Sequence, residues 1–118
     1  MRAAGAQFEQ RACTALQQAG LTLLARNFTT RHGELDLVMR HGDTVVFVEV
    51  RHRVRATHGD ALNSITASKQ ARLISAARLW LAAHPQHAQR PCRFDVVCYD
   101  GPVDHARMSW LRDAFHVS

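Results

Sequence analysis

Asp36 and Glu49 are two acids that neighbouring strands would set side by side. They lie in Gly33-Glu34-Leu35-Asp36-Leu37-Val38 and Val45-Val46-Phe47-Val48-Glu49-Val50-Arg51, alternating stretches separated by His41-Gly42-Asp43-Thr44. Gly42-Asp43 suits a two-residue hairpin turn, so His41 faces Thr44. Counting outward pairs Val38 with Phe47, Asp36 with Glu49 and Glu34 with Arg51. The other face holds Leu35 with Val50, Leu37 with Val48 and Met39 with Val46, all apolar. A one-residue slip would push Glu49 among those apolar side chains, so the hydrophobic pattern selects the register that brings the acids together. Directly opposed residues have Cβ atoms about 4.5–5.5 Å apart, where like charges repel. The pair therefore needs positive charge beside it, from basic side chains or from a cation. Oxygen ligands at this spacing, with positions left for water, suit Mg²⁺ or Mn²⁺. A metal so held activates water and stabilises charge on a phosphate oxygen during in-line displacement. The competing reading is a structural cluster of Asp36, Glu49 and Arg51 at a sheet end.

Beyond Glu49, the residues Arg51, Arg53 and Arg55 recur at period two and would project to one side of a continuing strand. Acids flanked by an arginine row match a phosphodiester site, with the metal at the scissile phosphate and the arginines on its neighbours. A solvated strand end would also carry such a run. The 118 residues include 15 Lys plus Arg against 10 Asp plus Glu, a formal charge of +5, and Lys69 is the only lysine. Such a surface attracts polyanions, and arginine forks suit phosphate.

Other chemistries lack support. Cys13, Cys92 and Cys98 are odd in number and show no CxxC spacing, so neither a disulfide framework nor a zinc site is indicated. His84 and His87 have near-ligand spacing, but Pro85 breaks the helix between them. No Walker loop, GxGxxG or GxSxG is present. No apolar run has the ~18 residues of a membrane span, and Met1-Arg2-Ala3-Ala4-Gly5 leads into no signal-peptide core. The expectation is one cytoplasmic domain over 1–118.

The elements that must position the acids follow from periodicity. Phe8, Ala12, Leu16 and Ala19 mark a first helix that Gly20 ends. Leu21 to Phe28 reads as a strand, and Glu34 to Arg40 and Val45 to Arg55 as the hairpin. His58 to Ser64 reads as a loop, and Thr66 to Ala83 as a helix with a Leu73, Ala77, Trp80, Leu81 stripe. A strand over Arg93 to Asp100 and a last short element over Met108 to Phe115 complete the chain. The second helix permits a parallel crossover, giving an α/β fold with a mixed sheet flanked by helices, in the order α-β-β-β-α-β.

Gly33-Glu34-Leu35-Asp36-Leu37 followed by Phe47-Val48-Glu49-Val50-Arg51-His52-Arg53 resembles the GEiDlI…FVEVKxR signature of the YraN-like family of uncharacterised bacterial proteins. Gly5, Glu9 and Ala12 resemble that family's first helix, and Arg26-Asn27 its first strand. Lys69, Phe94-Asp95-Val96 and Ala114-Phe115 resemble its later landmarks. The resemblance covers nearly the whole chain. The family is similar to the restriction-endonuclease-like PD-(D/E)xK nucleases and junction resolvases. It implies Asp36 and Glu49 as metal carboxylates, the Val50 carbonyl as a further ligand and Glu9 as an assisting acid. Where the signature has lysine this chain has Arg51, which stays protonated and stabilises charge without acting as a base. Lys69 is the amine that could stand in, although spacing alone does not fix whether it reaches the site.

The resemblance thus implies a Mg²⁺- or Mn²⁺-dependent nuclease acting on DNA, including structured or branched DNA, with Arg51, Arg53 and Arg55 on the phosphates. Nucleases of this type often work in pairs, so a homodimer is a candidate assembly. The alternatives are a catalytically silent nucleic-acid-binding module of the same fold, and an interaction protein whose basic surface meets an acidic partner.

Overall fold

The structure is a computed structural model that describes residues 3–54 and 65–116. The elements are α1 (Ala3–Gln18), β1 (Thr22–Thr29), β2 (Glu34–His41), β3 (Thr44–Arg53), α2 (Ala67–Ala83), β4 (Cys92–Asp100) and β5 (Arg107–Phe115), with short 3₁₀ turns at Pro85–His87 and Val103–His105. One five-stranded sheet runs in the order β1-β2-β3-β4-β5. Only β3 and β4 are parallel, joined by the crossover that contains α2; the other neighbours are antiparallel. The α/β expectation holds, and the last short element is a fifth strand. Arg55 and the expected loop over His58 to Ser64 lie outside the described residues. Among the described residues no helix is long and apolar enough to cross a membrane.

The hairpin forms as its pattern dictates. Gly42 turns the chain with φ 61°, and His41 pairs Thr44, Met39 pairs Val46, Val38 pairs Phe47 and Leu37 pairs Val48. Alternation then sends side chains to two cores. Leu37, Met39, Val46 and Val48 meet Phe8, Ala12 and Leu16 of α1. Val38, Val45 and Phe47 meet Leu73, Ala76, Ala77 and Trp80 of α2. Thr66 caps α2 by accepting from the Lys69 N–H at 3.1 Å, which closes one of the orphan donors of the first turn.

The expected pairing holds as far as Leu37–Val48 and stops there, so Asp36 with Glu49, Leu35 with Val50 and Glu34 with Arg51 are not ladder pairs. Leu35 does not share a face with Leu37 and Val50; it packs in the α2 core, whereas Leu37 and Val50 belong to the α1 core. The break falls at Asp36, the position between the Arg26–Leu37 and Phe28–Leu35 pairs and hence level with Asn27. Asn27 adopts φ 52°, a left-handed conformation that interrupts strand alternation.

Trp80 anchors the α2 side. It is 1% exposed, meets Phe47 edge-on at 6.1 Å and stacks on His84 at 4.1 Å. His84 Nδ1 also bonds the Trp80 carbonyl at 2.8 Å, so this histidine closes the helix. Trp80→Ala is expected to destabilise the fold by about 3–5 kcal/mol. Urea denaturation would read this as a lower midpoint with an unchanged slope.

Candidate active site

A cleft of about 360 Å³ opens at the end of β2 and β3 that lies away from their turn. Its walls are Gly5 and Glu9 of α1, Glu34 and Asp36 of β2, Glu49 to His52 of β3, and Lys69 of α2. Both helices reach it because β2 and β3 are sandwiched between them. The ladder between β2 and β3 ends at Leu37–Val48. Beyond it, the Asp36 carboxylate itself accepts the Val50 N–H at 2.9 Å. That bond fixes Asp36 beside Glu49 and holds the Val50 peptide at the cleft.

Glu9, Asp36 and Glu49 are 7%, 8% and 6% exposed. Burial, the neighbouring Asp36 charge and a hydrogen bond from one carboxyl to the other push Glu49 up to about 8, against an ordinary value of 4.5. Lys69 and Arg51 pull in the opposite direction without cancelling the rise. Lys69 Nζ lies 3.5 Å from Glu49 Oε2, and Arg51 Nη1 lies 3.8 Å from the same oxygen. Each contact to Glu49 is through a single nitrogen at long range.

The sequence-derived site therefore divides. Asp36, Glu49, Val50, Arg51, Glu9 and Lys69 all line one cleft. Arg53 does not extend an arginine row towards it: Nε and Nη2 grip Asp100 at 2.7 and 3.0 Å, and the side chain is 16% exposed. Arg53 holds its partner well below the usual carboxylate range. Arg55 lies outside the described residues. His52 lines the cleft, but its ring stacks on Phe8 at 4.2 Å and its Nε2 meets the Gly101 carbonyl at 2.8 Å. Glu34 was legible as the acid two residues before Asp36, yet pattern alone assigned it only a cross-strand arginine. Its carboxylate accepts from the Thr29 hydroxyl at 3.0 Å. No sequence signal marked Asp100 as the partner of Arg53, since 47 residues separate them.

The donor chemistry fits a hard divalent ion. Among the described residues no group of three or more His, Cys, Asp and Glu side chains is gathered to hold a metal. A cation here would rest on the two carboxylates, the Val50 carbonyl and water, which is the sparse ligation Mg²⁺ accepts. The crowded negative charge on Asp36 and Glu49 is what such an ion would relieve.

Fold and cleft define an α/β protein with an acidic, cation-flanked pocket at the end of a mixed sheet. The model of "Uncharacterised protein family UPF0102" matches residues 8–99, and the chain belongs to that family. A UPF0102 protein of Stutzerimonas stutzeri is 49% identical over 114 residues, covering 97% of this chain and 95% of the relative. One of Pseudomonas fluorescens is 52% identical, covering 94% and 91%. One of Nitrosococcus oceani is 48% identical, covering 96% and 91%.

The Glu49 shift has a stability consequence. Its folded value near 8 exceeds the ordinary 4.5, so between these the folded state holds a proton that the unfolded chain releases. The contribution is whole below the lower value and is lost as pH rises through the upper one. Metal-free protein is therefore expected to lose stability between about pH 5 and pH 9, and Glu49→Gln should flatten that decline. Denaturation midpoints of both proteins across this range check it.

Proposed function

We propose that the protein is a metal-dependent nuclease that hydrolyses phosphodiester bonds of DNA, with the Asp36–Glu49 cleft as its active site. The observation that carries this reading is the pair of buried, mutually repelling carboxylates in one open cleft with an amine 3.5 Å from Glu49. Asp36 and Glu49 would hold Mg²⁺ or Mn²⁺ together with the Val50 carbonyl. When bound, the ion lowers the pKa of water and offsets charge on the phosphate oxygens.

The chain's own groups do the rest. The Val50 N–H keeps Asp36 oriented, so the carboxylate meets its ligand without reorganising. Lys69 and Arg51 place positive charge where a phosphate would gain negative charge. Lys69 supplies from α2 the ammonium that the family signature carries at position 51. Glu9 adds a third buried acid to the wall of the cleft. Similarity to the junction-resolving nucleases makes structured or branched DNA the substrate to try first.

A second reading is favoured by Arg51, which cannot take a proton from water at neutral pH. On that reading the protein is a silent DNA-binding module of the same fold. Plasmid nicking separates the two. Wild type with Mg²⁺ or Mn²⁺ is expected to nick DNA, Asp36→Ala to abolish nicking at unchanged circular dichroism, and Lys69→Ala to slow it on the order of 10²-fold. DNA binding that survives EDTA, with no cleavage under either metal, would favour the silent module; persistent cleavage by the Asp36 variant would place the chemistry elsewhere.

A further inference from the structure

The arginines expected to carry phosphate do not form a row, because Arg53 is engaged by Asp100. Other cationic side chains lie on the segments that lead to Glu34 and Lys69 in the cleft wall. Thr29 and Glu34 bound a tight turn in which the Thr30 hydroxyl accepts the N–H groups of His32 and Gly33, each at 3.0 Å. The Thr30 N–H in turn donates to the Gly33 carbonyl at 2.9 Å. This turn is pressed onto the backbone of α2: a Cβ on Gly33 would lie 2.9 Å from the Arg72 carbonyl oxygen and 3.2 Å from the Arg72 Cβ. Only glycine permits that approach without displacing the helix.

The contact sets Arg31 and His32 of the turn next to Arg72 of α2. All three are exposed, and neither arginine has an ion pair or side-chain hydrogen bond among the described residues. Both segments lead directly into the cleft. Glu34, which follows Gly33, and Lys69, one helical turn before Arg72, are wall residues. Glu34 is the acid nearest in sequence to this group, and it is half-buried and bonded to Thr29. The α2 helix contains no Asp or Glu at all. Two exposed guanidinium groups, one on a turn packed against α2 and one on α2 itself, each within a few residues of a wall of the cleft, are suited to phosphates of one strand.

We infer that Arg31 and Arg72, brought together by the close contact of Gly33 with α2, bind the sugar-phosphate backbone of duplex DNA beside the cleft. The inference rests on the nuclease-fold reading and deepens it: the strand lies across the β1–β2 turn and the start of α2 rather than along the end of β3.

The test is metal-free binding of a duplex of about 20 base pairs, or two helical turns, measured by fluorescence anisotropy over a range of salt. Arg31→Ala and Arg72→Ala are each expected to make the plot of log affinity against log salt shallower by about 1. Together they are expected to weaken binding at low salt on the order of tenfold. Arg107→Ala and Arg112→Ala, exposed on β5 at the far edge of the sheet, serve as charge-matched controls and should leave the slope nearly unchanged. Wild-type binding that Arg31 and Arg72 do not affect, or that all four substitutions weaken alike, overturns the inference while leaving the nuclease-fold reading standing. No duplex binding by wild type at low salt overturns both.

Discussion

The repulsion between Asp36 and Glu49 is the constraint around which the rest of this protein is arranged. Each acid is almost fully buried, and an isolated carboxylate in such a place would simply take up a proton. Here one carboxyl does so in effect: the Glu49 side chain is raised to about 8 and hydrogen-bonds its neighbour. The other is held by a backbone N–H. This is an unrelieved arrangement for stability alone, since apolar residues in the same places would cost the fold nothing in charge burial. Structural clusters of acids ordinarily end in bidentate arginine pairs. The molecule builds such pairs at Arg53–Asp100 and at Arg93–Asp95, whereas Arg51 meets Glu49 through one nitrogen at 3.8 Å.

The contrast with Asp95 makes the point quantitative in its geometry. Asp95 is 0% exposed and accepts from Arg93 at 3.0 Å, from Trp110 Nε1 at 2.9 Å and from the Asp113 N–H at 2.9 Å. Every lone-pair direction has a donor, as a buried carboxylate requires. Its network ties β4 to the irregular end of β5, where Asp113 has φ 53°. It faces no demand from a ligand. Glu49 instead has two cations at 3.5 and 3.8 Å, beyond ordinary hydrogen-bond length, and an open cleft in front of it. The same residue chemistry is closed off by donors in one place and faces a cleft in the other.

How far the sequence revealed this depends on how local each determinant is. The hairpin register was legible because a one-residue slip reverses every side chain, and the apolar pattern over Leu37–Met39 and Val46–Val48 tolerates only one choice. The parallel crossover was legible because a full helix lies between β3 and β4. The face occupied by Leu35 was not, because β2 leaves its ladder with β3 at Leu37–Val48 and strand alternation carries no record of where a ladder ends. Arg53 was misplaced for a similar reason. Period two correctly set it on the same course as Arg51, but its guanidinium is claimed by a carboxylate from β4, and parallel pairing of Arg53 with Asp100 appears only when the sheet is assembled. Lys69 lay at the same limit: its helix was plain, its reach to Glu49 was not.

Lys69 and Arg51 approach Glu49 from different elements. From β3, the strand that carries Glu49, Arg51 reaches that acid only at 3.8 Å and remains one-third exposed. The α2 helix supplies the compact ammonium from across the cleft at 3.5 Å. What holds that ammonium in place is remote from it: the helix cap at Thr66, the core contacts of Leu73 and Trp80, and the bare backbone of Gly33 against Arg72. A side chain on β3 is positioned by the sheet alone. One on α2 is positioned by helix-to-sheet packing, so in this chain the electrostatics of the cleft are coupled to the stability of the α2 core.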